Sequence, residues 1–253
     1  MATDPWIVLP AGIAIASVVS AIGLGGGVLW MPLFLIFMKI EPGTAVLTSL
    51  LIQTAGMGSS SYAYSKKKCI DLRLAVFFLV IALPGLAIGA KFAHLLSRSQ
   101  MEMILGLLVM ATAVWFVSSN QKYSEAGSAK IKLPDSYRYS WLVAIMAIGS
   151  GMLSISMGEW LVPMLRAKLA MKMSSAIGTS IAIIFGTCIA AAAAHLLLGG
   201  QAELSVVLWA VPGVIIGGQI GPRIATRINE RLLKEIFIFL LTLIGIHLIY
   251  NAY

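Results

Sequence analysis

The stretch AIGLGGGVLWMP (Ala21–Pro32) places four glycines within five positions of an otherwise apolar segment. Glycine is a poor helix former, so the cluster predicts a break in a hydrophobic helix. A break of this kind serves either close packing between helices or the close approach of a ligand to the backbone. The first explanation is structural and the second is chemical.

The composition is typical of an integral membrane protein. Of the 253 residues, 59% are hydrophobic and 11% are charged, and the mean hydropathy is +0.94. Soluble domains have roughly 45–50% apolar and about 25% charged residues. The basic residues behind the net charge of +8 are scattered in short loops between apolar runs, a topology signal that argues against a nucleic-acid partner. Neither cysteine has metal-site spacing, and we expect no metal and no cofactor.

The two halves of the chain resemble each other at an offset of 131 positions. The matches are Gly27 with Gly158, Pro32 with Pro163, Ala45 with Ala176, and Thr48-Ser49 with Thr179-Ser180. Further on, PGLAIGA from Pro84 resembles PGVIIGG from Pro212. Internal repeats are the usual construction of secondary transporters. We therefore divide the chain into a first transmembrane repeat (1–121), a cytoplasmic linker (122–138) and a second transmembrane repeat (139–253).

The length of the first apolar run predicts a hairpin. As one helix, Pro5–Met38 would reach about 51 Å, against a hydrocarbon core of about 30 Å. The glycine cluster divides the run into arms of about 18 and 11 residues, and the second arm is too short to cross. A re-entrant hairpin with its tip at membrane depth fits both lengths.

The distribution of charge gives the orientation. With the loop SKKKCIDLR in the cytoplasm and each glycine segment entering and leaving on one side, 15 of the 18 Lys and Arg residues are cytoplasmic. A single crossing of each segment would leave eight inside and ten outside. Two full crossings would give the same sidedness as the hairpin, and only arm length favours re-entry. The predicted fold class is an all-α polytopic membrane protein with two inverted repeats. Each repeat is a glycine-tipped broken, re-entrant hairpin plus three transmembrane helices, and both termini are periplasmic.

The two tips are the candidate substrate site. Broken backbone inside a bilayer is tolerated where it is buried in protein or lines a wet cavity. At Gly25, Gly26 and Gly27, free N–H groups and the positive end of a helix would attract an anion. The second half breaks at the equivalent place, LSISMGEWLVP, which adds Ser156 and Gly158. The alternative is close helix packing by small residues.

Hydroxyl groups near the start of the helix after each hairpin are further candidates. Thr48 and Ser49 lie there in the first half, with Gln53 one turn beyond, and Thr179 and Ser180 lie there in the second. Their side chains would complete the coordination of oxyanion oxygens. The alternative is a hydrogen bond from each hydroxyl to the preceding helical turn.

GLGGGVLWMPL, the Thr-Ser pair in the next helix, PGLAIGA and the duplicated layout resemble the TauE/SafE family of sulfite and organosulfur-anion transporters. The resemblance covers essentially the whole chain and is weaker in the second half, where the glycine triplet of the family reads SMG, followed by Glu159. It implies a multi-pass carrier of the bacterial inner membrane. The implied substrates are sulfite or sulfonates such as sulfoacetate or taurine-related compounds.

Glu159 has two explanations. In SMGE, Ser156 and Glu159 have the spacing of a capping box, in which the glutamate suits the positive end of the helix. Alternatively, a carboxylate there would repel an arriving anion, so that substrate binding is linked to proton uptake. Ionisable groups at such depth often mark a transport path, which makes Glu159 the proton-coupling candidate.

The sequence therefore predicts an ion- or proton-coupled secondary transporter that binds a small sulfur-containing anion between two hairpin tips near the membrane midplane. Its partners are the anion and membrane lipid, and a homodimer is a further candidate assembly. An intramembrane enzyme is disfavoured, because the apolar runs hold few titratable groups, and no catalytic residue is assigned. The alternatives are a membrane assembly or scaffold protein and a carrier of an unrelated small anion.

Overall fold

A computed structural model describes residues 5–118, 126–225, 239 and 242–250, and within these the side chains of 115–118 are not described. The described residues are almost entirely helical. The bounds are α1 Val8–Ile22, α2 Gly27–Pro32, α3 Pro42–Lys66, α4 Leu72–Ala93, α5 Arg98–Ser118, α6 Leu133–Ser136, α7 Ser140–Leu153, α8 Gly158–Ala167, α9 Met173–Leu197 and α10 Leu204–Ile224. Short 3₁₀ turns precede α1 and α7, a π-helical segment (Leu33–Phe37) follows α2, and residues 242–250 are helical. Both chain ends and the first part of the linker, for which the sequence predicts sidedness, lie outside the described residues.

Both broken helices break at equivalent residues. The first ends at Gly23, whose φ of 78° is left-handed, and resumes at Gly27. The second ends at Ser154, whose φ of 57° is also left-handed, and resumes at Gly158. Each boundary is displaced by the same 131 positions (154 − 23 and 158 − 27). A left-handed residue ends a helix because it turns the backbone away from the helical path.

The long helices repeat with the same spacing. α3 and α9 both contain 25 residues, and both of their ends differ by 131 positions (173 − 42 and 197 − 66). α4 and α10 contain 22 and 21 residues. The sequence repeat is therefore also a repeat of helix lengths.

The first broken helix packs on the last long helix of the second half. Gly213 of α10 lies against the carbonyl of Leu9 in α1, and Gly221 lies against the carbonyl of Ser17. Both sets of numbers rise by eight residues (17 − 9 and 221 − 213), so α1 and α10 are parallel. Glycine is needed along this seam because the two backbones are too close for a side chain.

The chain reverses direction between α1 and α3. The hydroxyl of Thr48 in α3 accepts a hydrogen bond from the N–H of Glu203, just before α10, and Gln219 near the end of α10 donates to the carbonyl of Ser59. α3 is therefore parallel to α10 and hence to α1. Since α1 and α3 run the same way, the segment from Gly27 to Phe37 returns toward the end of the bundle where α1 begins.

The broken helix of the second half likewise packs on a long helix of the opposite half. Gly85 and Gly89 of α4 lie against the carbonyls of Ala144 and Ile148 in α7, so α4 and α7 are parallel. The same comparison makes α9 parallel to α4, because Asp71 pairs with Thr179 and Leu79 lies against Gly186. Since α7 and α9 both run parallel to α4, the segment between α7 and α9, which contains α8, leads back along the bundle.

The central helices α3 and α9 cross in opposite directions. Gly58 lies against Phe185, whereas Cys69, just beyond the end of α3, lies against Gly178. Residue numbers therefore rise along one helix as they fall along the other. α3 and α9 form the middle of the molecule, and both breaks lie against them.

Four helices in the described part of the chain are long and apolar enough to span a membrane, namely Pro5–Ile22, Leu72–Ala93, Met173–Leu197 and Leu204–Ile224. Only 39–50% of the residues in their most apolar windows are buried. The outer surface is correspondingly apolar, and Val80 of α4 and Leu208 of α10 are 59% and 73% exposed. An apolar outer surface over several long helices is that of a multi-pass membrane protein.

Candidate functional site

The two breaks meet at the centre of the bundle between α3 and α9. A methyl group on Gly25 would overlap the side chain of Ser156, and one on Gly27 would overlap the carbonyl oxygen of Ser154. All the predicted site residues are buried, namely Gly25, Gly26, Gly27, Thr48, Ser49, Gln53, Ser156, Gly158, Glu159, Thr179 and Ser180. The structure thus brings the two tips into direct contact and closes them from solvent.

Gln53 of α3 joins the two tips. Its Oε1 accepts a hydrogen bond of 3.0 Å from the backbone N–H of Gly27, the first residue of α2. Its Nε2 donates to the hydroxyl of Ser154 at 2.8 Å and to the hydroxyl of Ser49 at 3.0 Å. The Ser154 hydroxyl in turn donates to Ser49 at 3.0 Å. The network rigidifies the closed site, because every polar group of the Gln53 side chain is hydrogen-bonded in a buried environment.

Side chains of the central helices satisfy the carbonyl groups that each break leaves free. Tyr64 Oη donates to the carbonyl of Ser20 at 3.0 Å, and Nε2 of His195 bonds to the carbonyl of Gly151 at 2.7 Å. Each pair is related to the other by 131 positions (195 − 64 and 151 − 20). The last carbonyls of a helix have no intrahelical partner, so a buried break needs such bonds.

Serine side chains reach the tips from both halves. Ser180 of α9 donates to the carbonyl of Gly23 at 3.0 Å, whereas Ser49 of α3, its equivalent, lies in the Gln53 network at Ser154. Each serine therefore contacts the tip of the opposite half. The Ser156 hydroxyl accepts from the N–H of Gly158 at 2.9 Å.

The two threonine hydroxyls accept hydrogen bonds from N–H groups just before α10 and α4, and neither bonds to the tips. Thr48 Oγ1 donates to the carbonyl of Thr44 at 2.7 Å, as in the alternative explanation, and accepts from the N–H of Glu203 at 2.9 Å. Thr179 Oγ1 accepts from the N–H of Asp71 at 2.9 Å. The bonds from Glu203 and Asp71 fix the start of a long helix of one half against the central helix of the other.

Glu159 is fully buried in the first turn of α8, and neither carboxyl oxygen makes a hydrogen bond within the described part of the chain. The reciprocal bond of a capping box is therefore absent, and α8 has no side-chain cap at Met157. α8 packs on α9, where Cys188 is the titratable neighbour of the carboxyl. A buried carboxyl without a hydrogen-bond partner is costly in a protein interior and needs a functional explanation.

The structure places three residues at the site that the sequence analysis does not assign to it, namely Ser154, Tyr64 and His195. One signal was available for each of them. The offset of 131 places Ser154 on Gly23 and His195 on Tyr64 (154 − 23 and 195 − 64), so these positions share the environments of their equivalents. The sequence does not indicate that a tyrosine and a histidine do the same task, because only their hydrogen-bond donors are alike.

The polar groups at the tips suit a small anion. Backbone N–H groups, serine hydroxyls and the Gln53 carboxamide are neutral hydrogen-bond donors, the kind of group that binds an anion at the start of a helix. Among the described residues there is no cluster of three or more His, Cys, Asp or Glu that would hold a metal ion.

Known proteins similar to this chain are membrane transporters by name. A family model described as sulfite exporter TauE/SafE matches residues 8–248. The probable membrane transporter protein YunE of Bacillus subtilis (strain 168) is 27% identical over 97% of both chains. The probable membrane transporter protein YjnA of the same strain is 23% identical over 90% of this chain and 94% of its own. A probable membrane transporter protein of Haemophilus influenzae is 22% identical over 94% of this chain and 91% of its own. No solved structure matches the chain.

Proposed function

Because the chain belongs to the TauE/SafE sulfite exporter family, we propose that this multi-pass membrane transporter carries a small sulfur-containing oxyanion, sulfite or a sulfonate, between its two helix breaks. The observation that carries the proposal is the hydrogen bond from the Gly27 N–H to the Gln53 carboxamide oxygen. This oxygen occupies the place at the start of α2 where an anionic oxygen would bind. The closed site is therefore filled by the protein's own acceptor.

Substrate binding then requires Gln53 to turn. An arriving oxyanion takes the Gly27 N–H, and the carboxamide Nε2 becomes a donor to the anion instead of to Ser154. Ser49 and Ser154, whose hydroxyls are 3.0 Å apart, supply two further donors once the tips separate. Thr48 and Thr179 keep their bonds to the loops and hold the helices in place.

The second break supplies the coupling group. Glu159 lies at the start of α8, directly after Gly158. The N–H of Gly158 donates a hydrogen bond to the hydroxyl of Ser156. Burial of a charge without a partner is costly, so the carboxyl holds a proton while the tips are closed. A proton on Glu159 also removes the repulsion that would exclude an anion.

The two halves are inverted repeats across a bacterial inner membrane, with re-entrant hairpins α1–α2 and α7–α8. The support is the reversal between α1 and α3, the opposite directions of α3 and α9, and the 15-to-3 distribution of Lys and Arg. Repeats 1–121 and 139–253 then lie on either side of a cytoplasmic linker, 122–138. Both chain termini are periplasmic.

Cysteine labelling tests this topology. In a Cys69→Ser, Cys188→Ala background, single cysteines at positions 2 and 252 are expected to react with an impermeant thiol reagent added outside intact cells. A single cysteine at Ser128 is expected to react only after the membrane is opened. Labelling of Ser128→Cys in intact cells, with no labelling at either terminus, would refute the proposed orientation.

Transport by purified protein in liposomes tests the function. We expect labelled sulfite or an alkyl sulfonate to cross the membrane chemically unchanged, and empty liposomes to show no flux. The same anions are expected to raise the unfolding midpoint of the detergent-purified protein, and Gln53→Leu to remove that shift. If chloride or acetate shifts the midpoint as strongly, the protein is a carrier of unrelated anions. If no anion is carried or bound, an assembly role replaces the transport proposal.

A further inference from the structure

A polar cavity lies at one end of the bundle, away from the helix breaks. Its volume is about 470 Å³, and it opens between the linker and the turn that joins α8 to α9. Four cationic side chains line it, from Lys130, Lys132, Arg138 and Lys168, with one carboxylate from Asp135. α8 separates the cavity from the breaks by ten residues, about 15 Å of helix.

Backbone hydrogen bonds hold the two walls of this cavity together. Ser128 of the linker donates its N–H to the carbonyl of Ala170 at 3.0 Å and accepts from the N–H of Lys172 at 2.9 Å. The N–H of Ile131 donates to the Asp71 carboxylate at 2.9 Å. The linker is thus fixed to both α4 and the α8–α9 turn, and its basic residues face the cavity from a defined backbone.

The charge of the cavity is not neutralised within the described part of the chain. Arg98 and Glu102, far from the cavity, form the one ion pair found among those residues. Arg138 lies over the ring of Tyr139, its neighbour, at 5.4 Å from the ring centroid, and Asp135 is the one acidic residue of the lining. Even with the Asp71 carboxylate that accepts from Ile131, four cations against two carboxylates leave an excess of positive charge, which favours a multiply hydrogen-bonding anion.

We propose that this cavity binds the phosphate group of an anionic ligand the size of a lipid headgroup. A volume of about 470 Å³ lies in the range of small-molecule sites and exceeds what a four-atom oxyanion fills. The cavity lies at the same end of the bundle as Lys66, Lys67 and Lys68, because Asp71, which follows them, bonds to the linker. Headgroup phosphates lie at that level of a membrane, and basic pockets beside spanning helices bind them.

Binding to detergent-purified, full-length protein tests the site. The probes are dihexanoyl phosphatidylglycerol, dihexanoyl phosphatidylcholine and inorganic phosphate, all at one ionic strength. We expect phosphatidylglycerol at about ten times its Kd to raise the unfolding midpoint by about 3–6 °C, and phosphatidylcholine to have little effect. Lys132→Gln with Arg138→Gln is expected to remove at least two thirds of the shift. Lys66→Gln with Lys68→Gln, an equal loss of charge at the same end, is expected to retain it.

The arms of the experiment distinguish the two sources of phosphate. A shift with phosphatidylglycerol alone assigns the site to a lipid headgroup, and an equal shift with inorganic phosphate assigns it to a free phosphate compound. The proposal is overturned if no phosphate probe exceeds the effect of chloride, or if the shift survives in the cavity variant. It is also overturned if both double variants lose the shift equally, because general charge attraction then explains the binding. None of these results depends on the transported anion.

Discussion

Replacement of Gly27 by alanine is expected to abolish transport and to lower the unfolding midpoint of the protein. The added methyl group would overlap the carbonyl oxygen of Ser154, a backbone atom that cannot move without separating the two breaks. It would also lie 3.2 Å from Nε2 of Gln53. Overpacking of this kind costs about 1–3 kcal/mol, and each kcal/mol lowers the midpoint of a chain of this size by about 2–4 °C. Sulfite flux into proteoliposomes and thermal unfolding in detergent measure the two effects.

Two further variants separate binding from stability. Gly149→Ala, in α7, is the matched control, because a methyl group there meets no atom within 4 Å and should leave both measurements unchanged. A Cβ at Gly26 meets side chains of Trp30 and Gln53 rather than backbone, so Gly26→Val should still fold while anion binding weakens about tenfold or more. Normal binding and flux in Gly26→Val would leave the glycine cluster as a packing contact.

Replacement of Glu159 by glutamine is expected to preserve anion binding and to remove the pH dependence of transport. If one proton accompanies each anion, wild-type flux should rise as the pH falls. The rise should reach about tenfold per pH unit over the range in which protonation limits transport. The glutamine carries no proton to exchange, so its flux should stay flat. Uptake of an alkyl sulfonate into proteoliposomes across a range of external pH makes the measurement, because the charge of a sulfonate is constant there.

Glu41→Gln is the control for the loss of a carboxylate. Glu41 precedes α3, is exposed and makes no side-chain cap, so its replacement should leave the wild-type pH profile intact. An unchanged profile in Glu159→Gln would rule out Glu159 as the coupling group. Loss of binding in Glu159→Gln, with flux absent at every pH, would instead make the carboxyl a direct ligand.

The sequence predicts the breaks better than it predicts what holds them together. The glycine cluster at Gly23 follows from local propensity, and the offset then points to the equivalent Ser154, whose left-handed φ no local propensity predicts. The position of Gln53 against the opposite tip cannot be located in this way, because its equivalent at the same offset is Ile184 and no symmetry argument links them. The network of Gln53 depends on packing between the halves, which a one-dimensional pattern does not contain.

The two possible roles of Glu159 illustrate the same limit. The spacing of Ser156 and Glu159 is that of a capping box, and local spacing alone favours a reciprocal pair. In the folded chain Ser156 bonds to Gly158 instead, and the carboxyl is enclosed by α8 and α9. The family, by contrast, was identifiable from the motifs of the first half, and the match over residues 8–248 confirms it.

The exchanged packing of the two halves has a consequence for biosynthesis. Leu9 is made 204 positions before its neighbour Gly213 (213 − 9). At about 5–20 residues per second, α1 waits roughly 10–40 s for α10. During that interval its glycine-matched seam is open to lipid, to α3 or to the insertion machinery. α1 therefore reaches its final neighbour only late in synthesis, and a nascent chain stopped before α10 still lacks the support for its first break.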